Sequence, residues 1–143
     1  MPFEEIWAWP WKYIDRILRG PYVKAMAIFP IITLPDPILR KISDPVETVD
    51  SCVVKLMDDM LETMYAAPGI GLAAIQVGVP KRVVVIDTAE DGKPKNPLAM
   101  ANPEIVALGP GTRVYEEGCL SIPDVRVDIE RPETVTVRYI DRF

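Results

Sequence analysis

Histidine does not occur anywhere in the 143 residues. Its absence excludes, within this chain, Ser/His/Asp and Cys/His catalysis and every zinc or iron centre built on imidazole. Cysteine is nearly as scarce. Cys52 and Cys119 lie far apart without C-x-x-C spacing, so no disulfide framework is expected and both read as reduced thiols. There is no excess of positive charge, with 16 Lys and Arg against 21 Asp and Glu and a net charge of -5. The basic residues are scattered rather than striped, which sets nucleic-acid binding aside. No apolar run reaches the roughly 18 residues of a membrane span. An acidic pair, Glu4 and Glu5, and the lack of an apolar h-region exclude an ordinary signal peptide. A soluble, cytoplasmic protein is expected.

What is present is an apolar content of 49%, enough for one domain with a core. Residues 1–25 hold all three tryptophans and differ in character from the rest, so they read as a separate extension. A short amphipathic interfacial helix, with Trp7, Trp11, Ile14 and Leu18 opposite Lys12, Arg16 and Arg19, is an alternative for them. From Met26 the chain reads as an α+β domain. Pro30, Pro35, Pro37 and Pro45 predict an irregular entry. Thr48 or Asp50 can then cap a helix whose core stripe is Val53, Met57, Met60, Leu61 and Met64, with Lys55, Asp58, Asp59 and Glu62 on its wet side. Strands are predicted over 82–87 and 102–108. Alternating Val135, Val137 and Tyr139 predict a half-buried strand near the end.

Between helix and first strand lies GIGLAAIQ, residues 69–76. Its glycines imitate a dinucleotide-binding turn, but they follow a helix rather than a strand, and LAAIQVG is too short to be the helix that should come next. Read instead as a strand, the run puts Leu72, Ala74 and Gln76 on one face. Gln76 is then either a buried amide satisfied by backbone or an N–H aimed into a cleft, with glycines permitting close approach of a substrate backbone.

The second motif is EEGCLS, residues 116–121. Cys119 is poorly placed to be a nucleophile, because neighbouring carboxylates raise a thiol pKa and no imidazole can take its proton. As a metal ligand it is chemically plausible but insufficient alone. On residue chemistry a buried structural cysteine is the favoured reading.

Taken together, GIGLAAIQ followed by EGCLS resembles peptide deformylase. ITLPDPILRKIS, Asn102-Pro103 and IPDVRVDIERPETVTVRYIDR extend the resemblance over about residues 28–142. It implies an α+β fold with antiparallel sheets around a helix, and a ferrous- or zinc-dependent cytoplasmic amidase that removes the formyl group from formyl-methionyl nascent proteins. It also implies that Cys119 is the thiolate metal ligand and that Gln76 and the backbone N–H of Leu120 stabilise the oxyanion. Gly69, Ile70, Gly71 and Tyr115 would line the pocket and peptide groove, and Arg126 would contact peptide backbone.

The chain departs from the family at H-E-x-x-H, the motif that supplies two histidine ligands and a glutamate base, for it has no histidine. One ligand stands where three are needed, so Fe(II) or Zn(II) should not be retained and the chain alone should be inactive. A C-terminally truncated gene product is expected, ahead of a degenerate homologue or one half of a complementing pair. Sheet residues that packed on the missing helix should then be exposed and favour self-association. The alternative function is a non-catalytic binder of N-terminal methionyl peptides.

Overall fold

A computed structural model of the protein describes residues 26–143. The extension expected over 1–25, its boundary and its interfacial-helix alternative lie outside the described residues.

The proline-rich entry follows the surface of the first helix instead of pairing in a sheet. The Ala27 N–H donates to Asp59 Oδ1 at 3.0 Å and that of Phe29 to Thr63 Oγ1 at 3.0 Å. Farther on, Ile32 N–H reaches Gln76 O at 2.8 Å and Leu34 N–H reaches Ser121 O at 2.9 Å. A single 3-10 turn, Pro37–Arg40, interrupts the segment, capped by Asp36.

Helix α1 spans Ser51–Ala66. Asp50 is its N-cap, accepting from Cys52 N–H at 3.0 Å and Val53 N–H at 2.9 Å, which satisfies two otherwise orphaned amides of the first turn. The expected stripe is buried against Leu72, Val83, Val85, Ala99 and Ala101. The expected wet side needs correction, because Asp58 and Asp59 are buried. Amphipathic spacing did not anticipate what covers them. Asp59 receives the Ala27 amide and the Lys55 ammonium at 2.6 Å, and Asp58 receives the Arg142 guanidinium at 2.6 Å. Donors brought in from both ends of the described chain make burial of these carboxylates tolerable.

Strands β1 (Gly71–Ala73), β2 (Val83–Ile86) and β3 (Leu98–Leu108) are joined by β6 (Val135–Asp141) in an antiparallel sheet of order β1-β2-β3-β6. β3 begins four residues before the predicted Asn102. Asn102 itself stands at a bulge with φ 50°, and its side-chain amide exchanges two 2.8 Å hydrogen bonds with the Val46 backbone, fixing the entry segment to the sheet. β4 (Thr112–Cys119) and β5 (Ile122–Pro132) form a separate two-stranded ribbon.

The strand expected over 72–77 ends at Ala73. Ala74–Val77 is a 3-10 turn, so Gln76 does not share a strand face with Leu72 and Ala74. Two local features outcompete extension. The Gln76 side chain reaches back to accept the Ala73 N–H at 2.9 Å, and Gly78 closes the turn in the left-handed region at φ 85°, where glycine carries no Cβ penalty.

The core lies between α1 and the β1–β3 part of the sheet. Away from it, apolar side chains stand in solvent, with Ile105 and Leu108 each 62% exposed and Val114 61%. No helix among the described residues is long and apolar enough to cross a membrane.

Candidate functional site

α1 delivers the chain into the first wall of a cleft. The Gly69 N–H donates to Met64 O at 2.9 Å, closing the last turn, and Ile70 projects outward, 68% exposed. A Cβ at Gly69 would sit 2.7 Å from Leu120 Cδ1, so a side chain there would displace the tip of Leu120 in the cleft wall. Gly71 then opens β1, which among the described residues has no strand on its outer side, so the backbone at Gly71 is placed to meet another extended chain.

The opposite wall is the end of the β4–β5 ribbon. Cys119 closes β4 and pairs with Ile122, so Leu120 and Ser121 form the tip. Ser121 is buried and Cys119 is exposed, which corrects the buried structural cysteine favoured on residue chemistry.

Gln76 joins the walls. With its Oε1 committed to the Ala73 N–H, its Nε2 faces the ribbon tip, donating to Ser121 Oγ at 3.0 Å and lying 3.9 Å from Cys119 Sγ. The partly buried amide is thus divided: its oxygen satisfies backbone and its nitrogen donates across to the ribbon tip. The cleft measures about 750 Å³ and is lined by Gly69, Ile70, Gly71, Gln76, Cys119 and Leu120, with Tyr115 and Arg126 at the ribbon side. Every site residue singled out from the sequence thus faces one cavity. Arg126 stands opposite Gly118, where a Cβ would meet its Nε at 3.2 Å, so glycine makes room for the guanidinium stem.

Ser121, which steadies the amide, escaped sequence reasoning. Its only signal is a position two residues after the cysteine. Glu117 also lines the cleft, and its carboxylate is gripped at two points by Arg131 at 2.8 Å each. That hydrogen bonding holds Glu117 below the usual carboxylate range.

A family model, polypeptide deformylase, matches residues 28–143. The chain belongs to the peptide deformylase family. It is 58% identical over 117 residues to the peptide deformylase of Rhizobium meliloti strain 1021, an alignment covering 82% of this chain and 67% of that one. Among solved structures, the Ehrlichia chaffeensis peptide deformylase in complex with actinonin superposes with a TM-score of 0.76 at 42% identity, over 82% of this chain and 70% of that one. A class I type b peptide deformylase of Acinetobacter baumannii with Met-Ala-Ser bound gives 0.75 at 34% identity, over 82% and 79%. The chain spans about two thirds of the length of the curated relatives it matches. The fold is therefore the α+β deformylase fold, with antiparallel strands and, among the described residues, one α-helix.

Peptide deformylases use a catalytic metal, and the donor set of the described residues does not fit one. Among the described residues no three His, Cys, Asp or Glu side chains stand where they could hold an ion, and the sequence holds no histidine. Cys119 offers a single soft donor at the cleft, and three protein ligands are the usual minimum for a catalytic zinc.

Proposed function

We propose that this chain carries the peptide-binding and carbonyl-polarising portion of a deformylase site, and that by itself it captures formyl-methionyl peptides without hydrolysing them. The observation that carries the reading is the orientation of Gln76. Its oxygen is occupied by the Ala73 amide, so only N–H is presented beside Cys119. A fixed N–H at a cleft is what a carbonyl oxygen needs to be polarised.

In this reading Gln76 Nε2 and the Leu120 N–H donate to the formyl oxygen. Gly69 and Ile70 form the wall against the methionyl side chain, and the open edge at Gly71 receives the peptide backbone. Tyr115 and Arg126 hold the stretch beyond the first residue. Cys119 would be the thiolate ligand in relatives that hold Fe(II) or Zn(II). No step is assigned through an ion, because the remaining ligands and the base are absent from these residues. A cytoplasmic location follows from the substrate class, nascent formyl-methionyl chains.

The alternative function, a non-catalytic binder of N-terminal methionyl peptides, is favoured by the same cleft together with the incomplete donor set. It differs in not requiring the formyl group. Calorimetry with formyl-Met-Ala-Ser and with Met-Ala-Ser separates the two. Tighter binding of the formylated peptide, lost in Gln76→Glu, supports carbonyl recognition. Equal binding supports the alternative, and no binding of either overturns both.

A further inference from the structure

Tyr65 and Asp87 form a partly buried pair that does not line the cleft and lies outside the groups assigned to peptide. Tyr65 lies in the last turn of α1 and Asp87 directly follows β2. The Tyr65 hydroxyl donates to Asp87 Oδ2 at 2.6 Å. The same carboxylate accepts the Ala89 N–H at 2.9 Å and the Asn96 N–H at 3.1 Å, so it gathers the helix end and both ends of the 88–97 loop on one group. Lys95 closes over the outside, its Nζ 3.6 Å from the Tyr65 ring centroid.

The main chain links this pair to the cleft wall. Gly69 N–H donates to Met64 O, one residue before Tyr65, and Asp87 N–H donates to Ile70 O, each at 2.9 Å. The wall at Gly69 and Ile70 is thus hung between two anchors, the helix end and the strand end. The Tyr65–Asp87 hydrogen bond fixes these anchors to each other. Ile70 itself is exposed and contributes little packing to hold the wall. We infer that Tyr65 and Asp87 are positioning residues that set the distance of the Gly69–Ile70 wall from Leu120 and so the affinity of the cleft for peptide. The effect on peptide rests on the peptide-groove reading; the effect on the wall does not.

The test is residue-resolved amide hydrogen exchange of the full chain, paired with calorimetry using formyl-Met-Ala-Ser, on wild type, Tyr65→Phe and Asp87→Asn. Tyr65→Phe keeps the ring and removes only the hydroxyl. The Gly69 and Asp87 amides should exchange about tenfold faster in it, the population change expected when a hydrogen bond to a charged acceptor is lost. Val85, in the buried centre of the sheet, should change no more than the global unfolding constant does. Peptide affinity should fall severalfold in both variants, and the double variant should be no worse than the poorer single one, because both act through one bond. Exchange at Gly69 and Asp87 that is unchanged, or that rises in step with Val85, would overturn the wall-fixing role. Local acceleration with unaltered peptide affinity would overturn the positioning role. If wild type bound no peptide, the groove reading would fall, and the exchange data would still decide whether the pair fixes the wall.

Discussion

Replacing Gln76 in two ways separates its structural from its functional role. The amide makes two neutral hydrogen bonds, with the Ala73 N–H at 2.9 Å and the Ser121 hydroxyl at 3.0 Å. Gln76→Ala removes both, at about 1 kcal/mol each, so a loss of about 2 kcal/mol is expected, roughly a thirtyfold fall in the folded-to-unfolded ratio. Gln76→Glu behaves differently. A carboxylate can still accept from Ala73, and the Ser121 hydroxyl can rotate to donate to it, so stability at neutral pH should stay within about 0.5 kcal/mol of wild type. No N–H then faces the cleft, so the formylated peptide should bind more weakly. Urea unfolding and formyl-peptide calorimetry check these statements. A Gln76→Glu protein that binds formylated peptide as tightly as wild type would refute carbonyl polarisation by this amide. A Gln76→Ala protein of undiminished stability would refute the capping role.

Asp50→Ala should cost about 1 kcal/mol in urea unfolding through loss of the α1 N-cap, with no change in peptide affinity. Burial, reinforced by the hydrogen bond to Asp87 and by neighbouring carboxylates, pushes Tyr65 up to about 12. The neutral hydroxyl is the form favoured by folding, so its contribution is complete below the ordinary value of 10.0 and fades as pH rises toward 12. A phenolate absorbance titration of wild type minus Tyr65→Phe should show this late ionisation, and a midpoint near the ordinary value would refute the pair. The Tyr65 hydroxyl and the Ala89 amide hold Asp87 below the usual carboxylate range, so that stabilisation should be present above pH 3.8 and lost as pH falls further. Comparing acid unfolding of Asp87→Asn with wild type reads it. The bare side chains around Ile105, Leu108 and Val114 should bind a hydrophobic dye and give concentration-dependent elution in size-exclusion chromatography, whereas a monodisperse monomer that binds no dye would contradict this.

Long periodic features were legible in the sequence. The α1 stripe is set by a side-chain periodicity that survives folding, and β2 forms where the apolar run 82–87 placed a strand; β6 forms as well, but of its alternating residues only Val137 and Tyr139 are partly buried while Val135 is exposed. Two motifs on different elements, GIGLAAIQ and EGCLS, indicated a single site because the resemblance linked them, not because either is decisive in isolation. Features created by distant partners were not legible. Asp58 and Asp59 look like solvent-facing helix residues until Arg142 and the Ala27 amide arrive from far along the chain. Gln76 looked like a strand residue because alternation says nothing about a side chain that folds back on its own backbone. Ser121 and the Tyr65–Asp87 pair are likewise products of tertiary contact.

The most direct test of the claim that this chain binds without catalysing is turnover of formyl-Met-Ala-Ser by the purified protein supplied with ferrous ion under anaerobic conditions. With neither histidine ligands nor the glutamate base of H-E-x-x-H, no formate should be released above the buffer rate, at peptide concentrations that calorimetry shows to saturate the cleft. Formate release that tracks enzyme concentration and disappears in Cys119→Ala would mean that other groups complete the metal site, and would contradict binding without catalysis.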